Sequence, residues 1–131
     1  MKIILSILLM FAMGSVFAQD SDFVTAVKSA HALKAKGDYA GAAQTSPQSL
    51  CRAMYHVHAA WLLIGKLNKN NDFVYDESKS GNNDVAISQL DAAQNDLDNP
   101  DKLGCTGVEA SIVKQFIDKT RAQILAHSEN K

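Results

Sequence analysis

The chain has 131 residues, of which 47% are hydrophobic and 21% charged, and its formal net charge at pH 7 is −1. This length is enough for one domain that buries about two-thirds of its unfolded surface. The nearly balanced charge argues against electrostatic binding to nucleic acid or to a membrane surface, because both require a basic patch. Beyond the N-terminal leader, no stretch of sequence is apolar enough to span a bilayer.

Residues 1–18 show the order of features that is typical of a cleavable signal peptide. Lys2 provides a positive start, the run 3–13 is almost entirely apolar, and Ala18 is a small residue at the expected cleavage point. A membrane anchor is the weaker alternative, because this run is shorter than the ~20 residues that cross a bilayer. Cleavage would leave residues 19–131 as a single domain. We therefore predict that the protein is periplasmic or secreted and is not inserted in the membrane.

Cys51 and Cys105 are the two cysteines of the chain. In an oxidising compartment, an isolated pair most simply forms a disulfide. Metal ligation and redox chemistry are the alternatives, but they favour the Cys-x-x-Cys spacing that this pair lacks. We therefore predict a structural bridge between these two residues.

Apolar residues recur at helical spacing along the mature chain and predict four main helices and one short helix. The predicted ranges are 21–36, 39–44 (the short helix), 47–67, 84–97 and about 106–127. Ser21, Asp38 and a Thr106–Glu109 capping box mark helix starts, and Gly37 marks a helix end. The helix over 47–67 is apolar on two adjacent faces, so we expect it to be central, with neighbours on both sides.

The segment 68–83 is polar and long for a connection within a small domain, and such loops are either functional or disordered. Its apolar island, Phe73-Val74-Tyr75, predicts that the loop is fixed to the domain at one point. No strand pattern is evident anywhere in the chain. The predicted fold class is all-α, a small antiparallel helical array or bundle of four main helices plus one short helix, with one disulfide.

Two segments resemble parts of the tetratricopeptide repeat. Gly37-Asp38-Tyr39, followed by small residues, is similar to the turn between the two helices of that repeat. The run 86–93, closed by Asn99-Pro100, resembles its second helix and terminal proline. The resemblance covers about 30 residues. It implies stacked helical hairpins that bind a peptide or protein in a groove, and it assigns no contact residues.

Five aromatic or basic side chains are candidates for a partner-binding surface, because Tyr and Arg frequently anchor interfaces. They are Tyr39, Arg52, Phe73, Tyr75 and Arg121. The alternative is structural: Tyr39 would fill a helix junction, and Phe73 and Tyr75 would fix the long polar loop.

Met54 and His58 are four residues apart and would meet on one helical face, where a thioether and an imidazole could bind copper. Met54 also belongs to an apolar stripe, and it is the one methionine left after signal cleavage. We therefore assign no metal ligand and no cofactor, and copper remains an alternative.

The sequence contains no recognisable catalytic motif, such as Gly-x-Ser-x-Gly, His-Glu-x-x-His or a phosphate-binding loop. We therefore assign no catalytic residue and predict that the protein is not an enzyme. The leading hypothesis is an exported module that binds a protein or peptide, either as an inhibitor of the immunity type or as an assembly adaptor. The alternatives are a carrier of a small ligand or of copper, and an enzyme of unrecognised class.

Overall fold

Five α-helices, a two-stranded hairpin and one 3₁₀ helix make up the described part of the chain. The computed structural model describes residues 10–129, and side chains over 22–127. The elements are α1 Met10–Ala35, α2 Tyr39–Thr45, α3 Ser49–Ile64, β1 Gly65–Leu67, β2 Phe73–Tyr75, the 3₁₀ helix Glu77–Asn82, α4 Asn83–Asp98 and α5 Ala110–Glu129. The predicted all-α helical array with one disulfide is confirmed. None of the described helices is long and apolar enough to cross a membrane.

The first helix extends further toward the N-terminus than predicted. α1 is continuous from Met10 to Ala35, so Ser21 lies inside it and is not its N-cap. The residues that precede Ser21 contain no proline, so they can continue the helix. α1 therefore crosses the predicted cleavage point after Ala18. The start of the predicted signal peptide, residues 1–9, lies outside the described residues.

The turn between α1 and α2 lies where the sequence predicted it. Gly37 has a φ of 85°, a left-handed conformation that glycine adopts without steric cost. Its N–H donates to the Lys34 carbonyl at 2.9 Å, and the Asp38 N–H donates to the Leu33 carbonyl at 2.9 Å, as in a Schellman helix end. Asp38 then caps α2, because its Oδ1 accepts the N–H of Gly41 at 2.9 Å. Both predicted caps are confirmed.

The third helix begins two residues later than predicted, at Ser49 and not at Pro47. A distant carboxylate caps it: Asp101 Oδ2 accepts the Ser49 N–H at 2.8 Å, and the Ser49 hydroxyl accepts the Asp101 N–H at 2.9 Å. This reciprocal pair acts like a capping box whose partners are 52 residues apart. Burial alone would raise the pKa of Asp101, but the hydrogen bonds from Ser49 and Leu103, together with the charge of Arg52, outweigh it and leave that pKa lowered.

The segment after α3 forms a β-hairpin, so the prediction of a chain without strands is wrong here. The two strands are antiparallel, with Gly65 opposite Tyr75. The third helix was predicted to continue to Leu67, but the chain leaves the helix at Gly65 and pairs with β2. A Cβ atom on Gly65 would lie 2.1 Å from the carbonyl oxygen of Val74, so this approach of the two backbones requires glycine.

The aromatic residues of β2 hold the hairpin against the helices, as the sequence predicted for this loop. The Phe73 ring stacks on Trp61 with centroids 5.6 Å apart, and the Tyr75 ring stacks on His127 at 4.1 Å. Between the strands, Asn68 Oδ1 accepts two backbone N–H groups of the turn, at 2.8 and 3.0 Å. The predicted 68–83 loop is therefore a turn, a strand and a 3₁₀ helix.

The last helix begins at Ala110, later than predicted, because a tight turn precedes it. In this turn the Val108 N–H donates to the Cys105 carbonyl at 3.0 Å. Thr106 is part of the turn and does not cap the helix, so the predicted capping box with Glu109 is wrong. The turn includes one end of the disulfide, which restricts where the helix can begin.

The disulfide and the core both place α3 at the centre of the array. Cys51, in the first turns of α3, is bonded to Cys105 with a Cα–Cα distance of 5.3 Å, as predicted. One core cluster joins α3 to α4 and α5 through Ala53, Val57, Ala60, Trp61, Ile64, Ala86, Leu90, Ala93, Val113, Ile117 and Ile124. A second cluster joins α3 to α1 and α2 through Ala30, Ala42, Ala43, Cys51 and Tyr55. The prediction that the third helix has neighbours on both sides is confirmed.

Candidate functional site

Both arginines of the predicted partner surface form ion pairs with α4. The Arg52 Nε lies 3.2 Å from Asp96, and its guanidinium also donates to the Ser46 carbonyl at 3.1 Å. Arg121 approaches Asp91 at 2.8 Å. The Arg52 pair joins α3 to α4, whereas the Arg121 pair joins α5 to α4.

The three aromatic candidates also have intramolecular contacts. The Tyr39 ring lies 4.8 Å from the ring of His58, at the junction of α2 and α3. Phe73 stacks on Trp61, and the Tyr75 hydroxyl donates to Asn83 Oδ1 at 2.8 Å. The structure therefore brings Phe73 and Tyr75 together on one hairpin but places Tyr39 on another part of the molecule.

Tyr39 lies in an apolar groove between the start of α2, the end of α3 and the start of α4, which we call the α2–α4 groove. The groove has a volume of about 340 Å³. Its lining residues are Gly37, Asp38, Tyr39, Ala40, Ala59, Leu62, Leu63, Val85 and Gln89. Two of them, Ala40 and Ala59, carry only a methyl group, so the space between the helices is not filled by side chains.

Two large apolar side chains in the α2–α4 groove are exposed to solvent. Leu62 is 46% exposed and Val85 is 52% exposed. The sequence pattern places Leu62 on the second apolar face of the third helix, where we expect burial, and this expectation is wrong. The second face of α3 extends beyond the area that α1 and α2 cover, so its last turn stays open. Only the packing of the neighbouring helices reveals that this part of the face is open, because the wide apolar surface of the sequence predicted neighbours on both sides.

The polar groups at the α2–α4 groove are few, and the side chains of Asp38 and Gln89 already have intramolecular partners. Asp38 contributes its only charged side chain, and one oxygen of that carboxylate caps α2. Gln89 is fixed by a 2.6 Å contact between its Oε1 and the Nδ1 of His56. The other ring nitrogen of His56 lies 3.8 Å from Asp96. This groove can therefore bind apolar groups, but it offers no free acid–base pair for chemistry.

Among the described residues, no three His, Cys, Asp or Glu side chains come together in a set that could hold a metal. Met54 and His58, the pair that the copper alternative would need, line a different cavity, which lies between α1 and α3. The imidazole Nδ1 of His58 is buried and has no hydrogen-bond partner. Burial, and then the charge of Lys34, lower the pKa of His58 from 6.5 to about 4, against the opposing effect of a hydrogen bond with the Met54 backbone.

The fold defines a small helical array stapled by one disulfide, with an open apolar groove on one side. No family model matches the chain, and neither the curated proteins nor the solved structures include a match. The Gly37-Asp38 turn does connect two helices, and Asn99-Pro100 does follow α4. The tetratricopeptide resemblance nevertheless stays a prediction, since none of the comparisons tests it.

Proposed function

We propose that this protein is an exported, non-enzymatic interaction module that binds a protein partner in the α2–α4 groove. The observation that carries the proposal is the pair of exposed side chains, Leu62 and Val85, on the walls of one apolar groove. Single exposed apolar residues are ordinary on protein surfaces, whereas apolar side chains grouped around a concavity are typical of a binding site. Tyr39 in the same groove is a residue type that frequently anchors interfaces.

The groove favours a partner that presents the apolar face of a helix or of an extended segment. Its floor is formed in part by alanines, so a leucine- or phenylalanine-sized side chain can enter between the helices. The lone charge at the groove belongs to Asp38, so a lysine or arginine beside the inserted side chain would add electrostatic complementarity. An inhibited toxin and an assembly partner are both compatible with this chemistry.

The export part of the proposal is supported by the predicted leader and by the disulfide. Disulfides persist in oxidising compartments and are rare in the cytosol, so the Cys51–Cys105 bond is consistent with a periplasmic or secreted protein. The test is the intact mass of protein recovered from the periplasm and from the medium. An N-terminus at Gln19 is expected, and recovery of uncleaved chain from the cytoplasm alone would contradict export.

The groove is tested by placing a photo-crosslinkable amino acid at position 62 and, as a control, at position 125. Leu125 is a suitable control because it is also on a helix and is 60% exposed, but does not line the groove. The proteins are expressed in the native host and irradiated, and crosslinked partners are identified by mass spectrometry. A single protein crosslinked at position 62 and absent at position 125 is the expected result.

Binding of that purified protein is then measured with Leu62→Glu and Leu125→Glu variants. A charge at position 62 should weaken binding at least about tenfold, because a carboxylate would have to be desolvated in an apolar contact. The matched change at position 125 should leave the affinity unchanged, and circular dichroism verifies that both variants fold. Equal affinities for the two variants, or equal crosslinking at both positions, would refute the groove as the partner site.

A further inference from the structure

The two apolar clusters of the array differ in strength, and the weaker one holds α1 and α2 to α3. The cluster that joins α3 to α4 and α5 is built from Val, Ile, Leu and Trp side chains as well as alanines. The buried residues that α1 and α2 contribute to the other cluster are Ala30, Ala42 and Ala43, with Leu33 and Tyr39 partly buried beside them. Because the free energy of burial scales with apolar area, α1 and α2 are held less firmly than α4 and α5.

The attachment of α1 and α2 to the rest of the array is purely apolar. Within the described residues, no hydrogen bond or ion pair joins either helix to α3, α4 or α5. The Arg52 guanidinium does bind the Ser46 carbonyl at 3.1 Å, but Ser46 lies beyond the end of α2. The disulfide and the Asp101 cap of α3 also lie beyond that point. The two helices, which we call the α1–α2 pair, can therefore leave α3 while the disulfide and this cap stay intact.

His58 lies at the interface between the α1–α2 pair and α3. The Tyr39 ring of α2 lies 4.8 Å from its ring, and the Trp61 ring of α3 lies 5.0 Å from it. The Nδ1 atom of His58 is closed to solvent. The titratable side chains around it are His31 and Lys34 of α1, Tyr39 of α2 and Tyr55 of α3. The turn before α5 adds none, because Cys105 is bonded, and no carboxylate lines the cavity beside the ring.

A proton on His58 would place an unbalanced positive charge in this interface. Burial removes the water that would solvate the charge, and the neighbouring Lys34 repels it. These effects lower the pKa of His58 to about 4 while the interface is closed, against the opposing hydrogen bond with the Met54 backbone. When the α1–α2 pair is away from α3, the ring is hydrated and its ordinary pKa of 6.5 applies. The proton therefore binds the open form in preference to the closed form.

We propose that protonation of His58 releases the α1–α2 pair from α3 and thereby removes one wall of the α2–α4 groove. Tyr39 connects the two places, because it contacts the His58 ring and also lines the groove. The core formed by α3, α4 and α5 keeps its structure, so the groove changes without global unfolding. A partner in the groove is then released in an acidic medium. This last step rests on the proposed function, whereas the opening of the interface does not.

The test is native-state hydrogen exchange of the whole exported protein, with its disulfide intact, at about pH 7 and about pH 4.5 in low concentrations of urea. Exchange rates are corrected for the intrinsic rate at each pH. Acidification should raise the open fraction of α2 about 30-fold. The α2 amides should also exchange faster than those of α4 and α5 and depend less on urea, because a local opening exposes less surface than global unfolding.

Two histidine variants assign the effect to one side chain. His58→Phe keeps a ring between Tyr39 and Trp61 but cannot bind a proton, so it should abolish the increase at α2. His31→Phe makes the same change at an exposed histidine of α1 that lines the same cavity, and it should leave the increase unchanged. Should His58→Phe not fold, Lys34→Met serves instead: without the repelling charge the pKa of His58 rises, so the increase at α2 should be smaller than in the wild type.

Three outcomes contradict the proposal. The first is that α2 and the core exchange together, with the same urea dependence at both pH values, because the opening is then global. The second is an equal increase at α2 in the wild type and in His58→Phe. The third is no increase at α2 while His58 titrates near pH 6.5 in the folded protein, which would mean that the faces of Tyr39 and Trp61 stabilise the imidazolium.

The failure of this inference is distinguishable from the failure of the proposed function, because exchange is measured on the protein alone. If α2 opens as expected but the protein crosslinked at position 62 binds equally well at both pH values, the assignment of the partner to the α2–α4 groove is wrong. If α2 stays closed and the crosslinked protein still binds, the groove stands and the proton-dependent release is wrong.

Discussion

Acidification should destabilise the folded protein through one side chain, His58. Its ring lies between Tyr39 and Trp61, with ring centroids at 4.8 and 5.0 Å, and its Nδ1 is sealed from solvent. Burial, reinforced by Lys34, lowers its pKa to about 4 in the folded state, against an ordinary value of 6.5. The unfolded chain therefore takes up the proton first. The contribution of neutral His58 to the free energy of unfolding is therefore complete above pH 6.5, and it is lost as the pH falls from 6.5 toward 4.

The size of this effect follows from the difference between the two pKa values. A shift from 6.5 to about 4 corresponds to about 3 kcal/mol of stability for a fully buried group. The ring of His58 is only partly buried, so solvent screening reduces the expected loss to about 2 kcal/mol. A loss of this size is a large share of the stability of a small domain.

The assay is urea unfolding of the wild type and of His58→Phe, followed by circular dichroism at about pH 7 and about pH 4.5. Phenylalanine keeps a ring against Tyr39 and Trp61 but cannot be protonated. Other titrating groups act alike in both proteins, so the wild type should lose about 2 kcal/mol more than His58→Phe over this interval. Equal losses in the two proteins, or a folded-state NMR titration of His58 centred near 6.5, would refute the argument.

Three further changes test contacts that hold the fold together. Replacing Cys51 and Cys105 by serine opens a loop of 54 residues and should cost about 4 kcal/mol in the free energy of unfolding; an unchanged urea midpoint would contradict this. Gly65→Ala should destabilise the protein by about 2 kcal/mol or more, because the added Cβ meets the Val74 carbonyl oxygen, and near-neutrality would mean that the hairpin can shift. Asp101→Asn should lower the free energy of unfolding by about 1 kcal/mol at neutral pH. The loss should be much smaller at a pH below the lowered pKa of Asp101, because the wild-type carboxyl is then protonated as well; a loss that does not change with pH would argue against the charged cap.

Local signals in the sequence were sufficient for much of the secondary structure. Gly37 and Asp38 mark the turn between α1 and α2 correctly, because a left-handed glycine and a capping carboxylate act on backbone groups within a few residues. The disulfide between Cys51 and Cys105 was also predictable, since it is the only pairing within the chain that two cysteines allow. The wide apolar surface of the third helix predicted its central position.

Tertiary contacts decided the features that the sequence pattern placed wrongly. The start of α3 depends on Asp101, 52 residues away, and the hairpin depends on a backbone approach that only Gly65 permits. The carboxylate that sets the start of α3 leaves no signal near Ser49, and the glycine and apolar island of the hairpin do not by themselves show that the two segments pair. Propensity and periodicity describe each segment alone, whereas these elements gain their stability from partners that are distant along the chain.

The open spaces on the surface of the array could not be predicted from the sequence either. The sequence places Leu62, Lys34 and His58 on helices. It does not show that Leu62 stays exposed to solvent or that His58 and Lys34 line one cavity. A groove or a pocket is the space that packing leaves unfilled, so it is a property of how the helices are arranged and not of any single helix. The sequence by itself therefore determined which helices form and which cysteines pair. The packing of α1, α2 and α4 around α3 determined where a groove and a cavity stay open.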